Sequence, residues 1–484
     1  VPGRHLVIAA PAGPQTLQPN ARNEEFTLSA QSNVYETLVD LDSGLSLRPG
    51  LAESWHTPDD VTWVFRLRPT VRLHDGRILD ARMVAASLEH ARSDPGSRRK
   101  VQLAALVRIE ARDERTLAIT TRAPFDPLPA RLSNVSIWAP GADGKPVGTG
   151  PYRVTRFEPD GDVAFEAFAG HWAGPPRIAS AEFRVLPSPA DRVAALRAGT
   201  VQLVVDAPAE ELSGLSAAGF RTVAENGLRV ILLVMDSAHE RRADGTPNPF
   251  RDPRVRRALA LAIDRSALTS GPLGGYAELV DQIASPQELG GEHEDVARWP
   301  LDPAASRRLL AEAGYPDGFD VDLHFLPAKY RAMDAVAAAL SADLGRIGVR
   351  VRKVPLPPPV FFDRVEARDL GFYVLGWISD TGDGRVSYEY LLHSPTGPFG
   401  LTNGGGYANP AVDALIERSS SRLEVQERRE ILARLAQLVH EDVPLVPLYR
   451  QADLYALRRD LTFRPRLDRR VRLVELAFGG TPAR

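Results

Sequence analysis

Strand-period and helix-period patterns of apolar residues alternate along this chain from one end to the other, and no other feature constrains its fold as strongly. Val61, Trp63, Phe65 and Leu67 recur at every second residue, the period of a strand with one buried face. Asp75-Gly76 marks a tight turn after it. Asp80 is placed to cap a helix whose apolar face is Met83, Val84, Ser87, Leu88 and Ala91. Asp252-Pro253 opens another helix with proline in its first position, and Val255, Ala258, Leu259, Ala262 and Ile263 form its buried stripe. Further strands are predicted at 6–10, 117–121, 153–157, 163–168, 201–205, 321–325, 349–354, 372–375, 445–449, 454–457 and 471–477. Further helices are predicted at 191–198, 304–313, 334–347, 410–418 and 425–440, and the run from Val34 to Val39 reads as the end of a helix. Mixed strands and helices throughout predict an α/β protein with one lobe assembled from separated segments.

With 484 residues the chain is too long for one ordinary domain. Its 44% hydrophobic and 25% charged residues are the mixture of a soluble globular protein. A net charge of −3 gives no global basic field for nucleic acid or an acidic membrane. Lysines are confined to Lys100, Lys145, Lys329 and Lys353, so arginine carries almost all the positive charge. There is no cysteine, which excludes disulfides, thiolate metal sites and cysteine nucleophiles. No apolar stretch approaches the roughly 20 residues that span a bilayer. The chain begins at Val1, as expected if a signal segment has been removed or the N-terminus trimmed.

A set of phrases, in order, resembles family 5 extracellular solute-binding proteins of the dipeptide- and oligopeptide-binding type. They are Val34-Tyr35-Glu36-Thr37-Leu38, Leu51-Ala52-Glu53-Ser54-Trp55, Trp63-Val64-Phe65-Arg66-Leu67-Arg68 and His74-Asp75-Gly76. Gly148-Thr149-Gly150-Pro151-Tyr152 and Phe250-Arg251-Asp252-Pro253-Arg254-Val255-Arg256-Arg257-Ala258 follow. Gly376-Trp377 with Asp380, Tyr407-Ala408-Asn409-Pro410 with Asp413, and Val446-Pro447-Leu448-Tyr449 complete the set. Each phrase alone is weak, but their order spans nearly the whole chain. The resemblance implies a two-lobed periplasmic-binding-protein fold with an extra inserted subdomain in lobe one. By it, lobe one takes 1–30, 150–235 and 451–484, with 31–149 inserted, and lobe two takes 236–450. The hinge crossings then fall near Met235 and Arg450. Met235-Asp236 departs from the Phe-Asn that relatives often carry there.

The same resemblance supplies candidate ligand residues. In peptide binders an Asp at the place of Asp380 pairs with the ligand's α-ammonium, because a charge removed from water needs an opposite partner. The competing reading makes Asp380 a cap of the turn Thr381-Gly382-Asp383-Gly384. Gly376 and Trp377 precede it, and the indole offers a flat apolar wall or a core side chain. Lys329, Tyr330 and Arg331 fall near the position where dipeptide binders hold the ligand's carboxylate, and a solvated loop is the alternative. Asn23, Glu24 and Glu25 fall where peptide binders pair with the ligand backbone by strand addition. An ordinary helix N-terminus explains them as well. His293 sits in the acidic run Glu292-His293-Glu294-Asp295 and reads as solvated. His393 is a candidate only because nickel-binding relatives exist. No two of the ten histidines show the spacing of a zinc helix, and neither a phosphate loop nor a Gly-x-Ser-x-Gly elbow occurs.

The expected function is an extracytoplasmic substrate-binding protein of an ABC transporter. It takes a peptide or other amine-bearing small solute between its lobes and delivers it to membrane permease subunits. It is expected to be a periplasmic monomer with no catalytic residue, cofactor, metal or nucleic-acid partner. Alternatives are a sensory or regulatory binding protein on the same fold, a receptor for an opine, oligosaccharide or metal chelate, and a hydrolase, which the missing motifs disfavour.

Overall fold

A computed structural model describes residues 4–288, 291, 293, 296–327, 329–379, 381–397, 399–421 and 424–479. The chain divides into two units, Val1–Glu225 with Asp453–Arg484, and Asn226–Ala452. It passes from one unit to the other twice, each time inside a strand, Arg221–Met235 and Leu445–Leu457.

Unit one holds two separate hydrophobic cores. The first belongs to a sheet in which Tyr152–Phe157, Val163–Ala167, Ser180–Val185, His5–Ala10, Leu203–Val205 and the end of Leu445–Leu457 lie side by side. His5–Ala10 runs parallel to both its neighbours, and Leu6 and Ile8 point one way into a core with Phe165, Phe183, Tyr455 and Leu457. The second core fills an antiparallel sheet of Ala52–His56, Thr62–Leu67, Thr116–Thr121 and Leu106–Ala111. The helix Ala81–Ser93 covers this sheet with Ala81, Val84, Leu88 and Ala91. Asp80 caps it as its sequence predicts, Oδ1 accepting from Met83 N at 2.8 Å.

Three of the sequence phrases meet in unit one. The Gly148 carbonyl accepts from His74 N at 2.9 Å, and the Gly150 carbonyl from His74 Nε2 at 2.9 Å. A carbonyl only accepts, so Nε2 carries the proton. Burial pushes the His74 pKa down, which keeps the ring neutral. The glycines are required because the Val34 backbone lies against them. A Cβ at Gly148 would fall 2.0 Å from the Val34 carbonyl oxygen, and one at Gly150 2.6 Å from its carbonyl carbon.

Unit two has its own core and sheet. Phe372–Trp377 pairs antiparallel with the end of Arg221–Met235, from Val230↔Trp377 to Met235↔Phe372. On its other side it runs parallel to Asp320–Phe325, which is parallel to Arg350–Pro355. The helices Pro253–Ala262 and Met333–Gly345 add Val255, Leu259, Val336 and Leu340 to one core with these strands. Asp252 caps the first, accepting from Arg254 N at 2.8 Å, with Pro253 behind it.

Three local expectations are corrected. Val34 to Val39 is not helical. The helix is Glu25–Gln31, both Val34 N and Tyr35 N donate back to Gln31 O in its closing turn, and Val34 O then receives Gly150 N. Instead of a strand, 471–477 holds a 3-10 turn, Leu473–Glu475, before the short strand Ala477–Phe478. There Val471 N and Leu473 N bond the side chains of Ser29 and Asn33, not a neighbouring strand. The strands expected at 445–449 and 454–457 are one strand, Leu445–Leu457, buried along its whole length. Arg450, Gln451 and Asp453 imitate a loop in sequence but are buried and bonded. Among the described residues no helix is long and apolar enough to cross a membrane.

Candidate functional site

In unit two the strand Phe372–Trp377 is followed by the non-helical residues 378–379 and 381–384, and then by the helix Arg385–Leu391. The strand is buried through Leu375 and opens at Gly376 and Trp377. Gly376 is small because the Tyr330 ring lies on it, and a Cβ there would come 2.4 Å from a ring carbon. The Tyr330 hydroxyl donates to Gly376 O at 3.4 Å, and burial pushes its pKa up, so it remains a neutral donor. Trp377 is half-buried. Its indole N–H donates to Ser387 Oγ at 2.9 Å and its ring tilts 39° against Tyr390 at 5.7 Å. The ring is therefore held in one orientation with part of its surface open.

Asp380 lies outside the described residues. Its neighbours are bound inward. Ser379, Thr381 and Asp383 are buried, and Asp383 Oδ1 accepts from Arg385 N at 3.0 Å. The Arg385 guanidinium is fully buried, 3.6 Å from Asp383 and bonded to Glu389. Glu288 packs against the same loop. Burial pushes its carboxyl up to about 7, and the charge of Asp383 pushes the same way. Hydrogen bonds from Ser285 N and the Ser379 hydroxyl, with the charge of Arg450, pull it down. Arg450 is itself buried and bonded to Glu278 at 2.8 Å.

A raised carboxyl pKa gives a definite pH dependence. The folded state keeps the Glu288 proton to about 7, whereas an exposed Glu loses it near pH 4.3. Its contribution to stability is therefore complete below about pH 4.3 and is lost as pH rises through the folded pKa. Glu288→Gln, which cannot ionise, is expected to gain on the parent in urea midpoint between about pH 5 and pH 8. A difference that does not change with pH would mean that Glu288 is ionised throughout.

Lys329, Tyr330 and Arg331 point three different ways. Tyr330 enters the core, and Lys329 is exposed with its ammonium 5.7 Å above the Phe362 ring. Lys329 rims an apolar recess of about 510 Å³ walled by Leu326, Pro327 and Pro355–Pro358. The Arg331 guanidinium donates to the carbonyls of Tyr276 at 3.2 Å and Ala452 at 2.9 Å.

In unit one Asn23 is exposed and Glu24 caps the helix Glu25–Gln31. One Glu24 oxygen accepts from Phe26 N at 2.7 Å, and the carboxylate also holds Thr27 N and the Thr27 hydroxyl. Its backbone is extended, with φ −78° and ψ 143°. Glu25 pairs at 3.1 Å with buried Arg469, which also meets Asp206 and Asp453. Of the histidines, His393 is buried, stacked on Phe399 at 4.2 Å and bonded to Ser394 O and Glu417. Glu292, Glu294 and Asp295 beside His293 lie outside the described residues. Among the described residues no group of three or more metal-ligating side chains is placed to hold an ion.

Sequence reasoning missed Glu288, Arg385, Glu389 and Arg450. The run Ser379-x-Thr381-x-Asp383-x-Arg385, polar at every second residue, was a usable signal. Glu288 had none, because apart from Ser285 its partners, Ser379, Asp383 and Arg450, are remote in sequence.

The fold is that of a periplasmic binding protein. The family model of bacterial extracellular solute-binding proteins, family 5 Middle, matches residues 46–399, and the chain belongs to this family. Among curated relatives, the glutathione-binding protein GsiB of Escherichia coli (strain K12) is 27% identical over 480 residues, 95% of this chain and 91% of that one. Among solved structures, the ABC transporter-associated periplasmic binding protein DppA from Helicobacter pylori, in complex with the peptide STSA, superposes with a TM-score of 0.86. It is 21% identical and the match covers 99% of this chain and 98% of that one. The binding protein AgaA from A. tumefacien R10, in complex with agropinic acid, gives 0.82 at 23% identity, over 95% and 94%. At such identities the structures show the shared fold, the mixed α/β fold of periplasmic binding proteins.

Proposed function

We propose that this protein captures a peptide or another small solute with a free amine and delivers it to the permease of an ABC importer. It acts outside the cytoplasmic membrane, as a monomer, with no nucleic-acid partner and no chemistry of its own. The observation that carries the ligand class is the inward commitment of Asp383. Arg385 occupies that carboxylate, so Asp380 is assigned to the ligand's ammonium, with Trp377 as the wall beside it. Exposed Lys329 is assigned to the carboxylate end, in preference to Arg331, whose guanidinium rests on two carbonyls. Glutathione and the peptide STSA, named with two of the relatives, both carry an α-ammonium and carboxylate.

Acetylation of the amine tests the reading. Calorimetry with glutathione, dipeptides and tetrapeptides is expected to find a ligand whose N-acetylated form binds at least about 30-fold more weakly, the loss of one buried charge pair. Equal binding of the two forms, or binding only of solutes without an amine, refutes it.

A further inference from the structure

Unit one contains a cavity of about 200 Å³ that none of these assignments uses. It exceeds the roughly 150 Å³ apolar cavity that accommodates a benzene molecule. Gln31, Glu36 and His171 lie on its wall, together with Arg466, Arg470 and Arg472.

The hydrogen bonds around it are incomplete in one consistent sense. Gln31 Nε2 donates to Thr16 O at 3.3 Å and Gln18 O at 2.9 Å, which fixes the amide and leaves Oε1 as a buried acceptor without a partner among the described residues. Glu36 Oε1 accepts from Trp172 Nε1 at 2.9 Å and His171 Nε2 at 3.1 Å, while Oε2 is buried and unpartnered among the described residues. Because His171 Nε2 donates to a carboxylate, its Nδ1 in the neutral ring is an acceptor, and it too is buried and unpartnered among the described residues. Three acceptors, one carrying charge, are thus left beside one cavity. Buried polar atoms of this kind have partners in native proteins.

The arginines supply the opposite character. Arg466 is bound to Asp468 at 3.0 Å and Glu475 at 2.7 Å. Arg472 Nη1 holds both oxygens of Asp40 at 2.9 Å, and its Nε is buried without a partner among the described residues. Arg470 bonds Asn134 and lies 3.8 Å from Asp468. This group leaves a donor, Arg472 Nε, to an incoming acceptor.

We infer that this cavity is a second binding site, for a free amino acid. An ammonium has three N–H donors for three acceptors and a positive charge for Glu36. The carboxylate of the same molecule is the acceptor for Arg472. The inference does not rest on the reading of Asp380, which lies in the other unit.

Thermal unfolding of the full chain, purified by refolding to remove bound solutes, with each of the twenty amino acids in turn is the test. At least one is expected to raise the unfolding temperature by about 2 °C at saturating concentration. The affinity of that amino acid is expected to fall at least about tenfold in Glu36→Gln, which keeps the shape and removes the charge. It is expected to be unchanged in Asp380→Asn. No shift with any amino acid overturns the inference, as does a shift lost in Asp380→Asn and retained in Glu36→Gln. If Glu36→Gln does not fold, or both variants lose the shift, a crystal structure of the parent soaked in that amino acid decides. Ordered water alone in the cavity overturns the proposal, and the amino acid on Gln31, Glu36 and His171 supports it.

Discussion

Asp380→Asn is expected to weaken binding of the amine-bearing ligand by about 30-fold or more, a loss of roughly 2–5 kcal/mol. The substitution keeps the side chain's shape and removes only its charge. The ligand's ammonium would then be withdrawn from water without a counter-charge, and that penalty, more than the contact itself, sets the size of the effect. The competing reading, in which Asp380 only caps its turn, predicts little change, because Asn caps turns as well as Asp. Calorimetry of parent and variant with the same ligand separates the two. Trp377→Ala is expected to cost less, since the ring contributes a wall and not a charge. Should Asp380→Asn bind like the parent, the amine assignment falls while membership of the solute-binding family stands.

Arg385→Leu is expected to destabilise unit two by about 3–5 kcal/mol, the usual cost of removing one partner from a buried ionic group. Arg385 has no exposed surface, and it lies between Asp383 and Glu389, both buried. Without the guanidinium two carboxylates remain close together in a poorly hydrated space. The triple change Arg385→Leu, Asp383→Asn, Glu389→Gln removes the charges together and is expected to recover much of the loss. Denaturant unfolding measures both. A cost below about 1 kcal/mol for Arg385→Leu would place that arginine in a well-hydrated surface pair instead. The group also braces the loop after Trp377, so Arg385→Leu links stability to ligand affinity, whereas Asp380→Asn moves affinity alone.

Much of the fold was legible because local chemistry settles it. Asp80 and Asp252 announce their helices by capping, and Pro253 fits the first helical position because it has no N–H to lose. The alternation from Trp63 to Leu67 is the geometry of a strand itself. Where these rules were misapplied, a remote partner had intervened. Leu445–Leu457 reads as two strands because Arg450 and Asp453 are charged, yet Glu278 and Arg469 make their burial possible. The stretch 471–477 has the apolar residues of a strand, but Ser29 and Asn33 take its backbone N–H groups.

The candidate site divides in the same way. Gly376, Trp377 and Asp380 are candidates named from their order in sequence, as are Lys329, Tyr330 and Arg331. Sequence could not say that Tyr330 turns inward to cover Gly376, that Arg331 rests on carbonyls of 276 and 452, or that Lys329 alone of the three is exposed. By itself the sequence determined what depends on near neighbours: helix starts, strand faces, the tight turns, the family, and the absence of cysteine chemistry. Only the tertiary structure decided which charges are buried and with whom, Arg385 with Asp383 and Glu389, and Glu288 against Ser379. The physical reason is that a cap or an alternating strand is stabilised within a few residues. A buried charge is tolerable only when its partner, often tens to hundreds of residues away, has been brought into hydrogen-bonding distance.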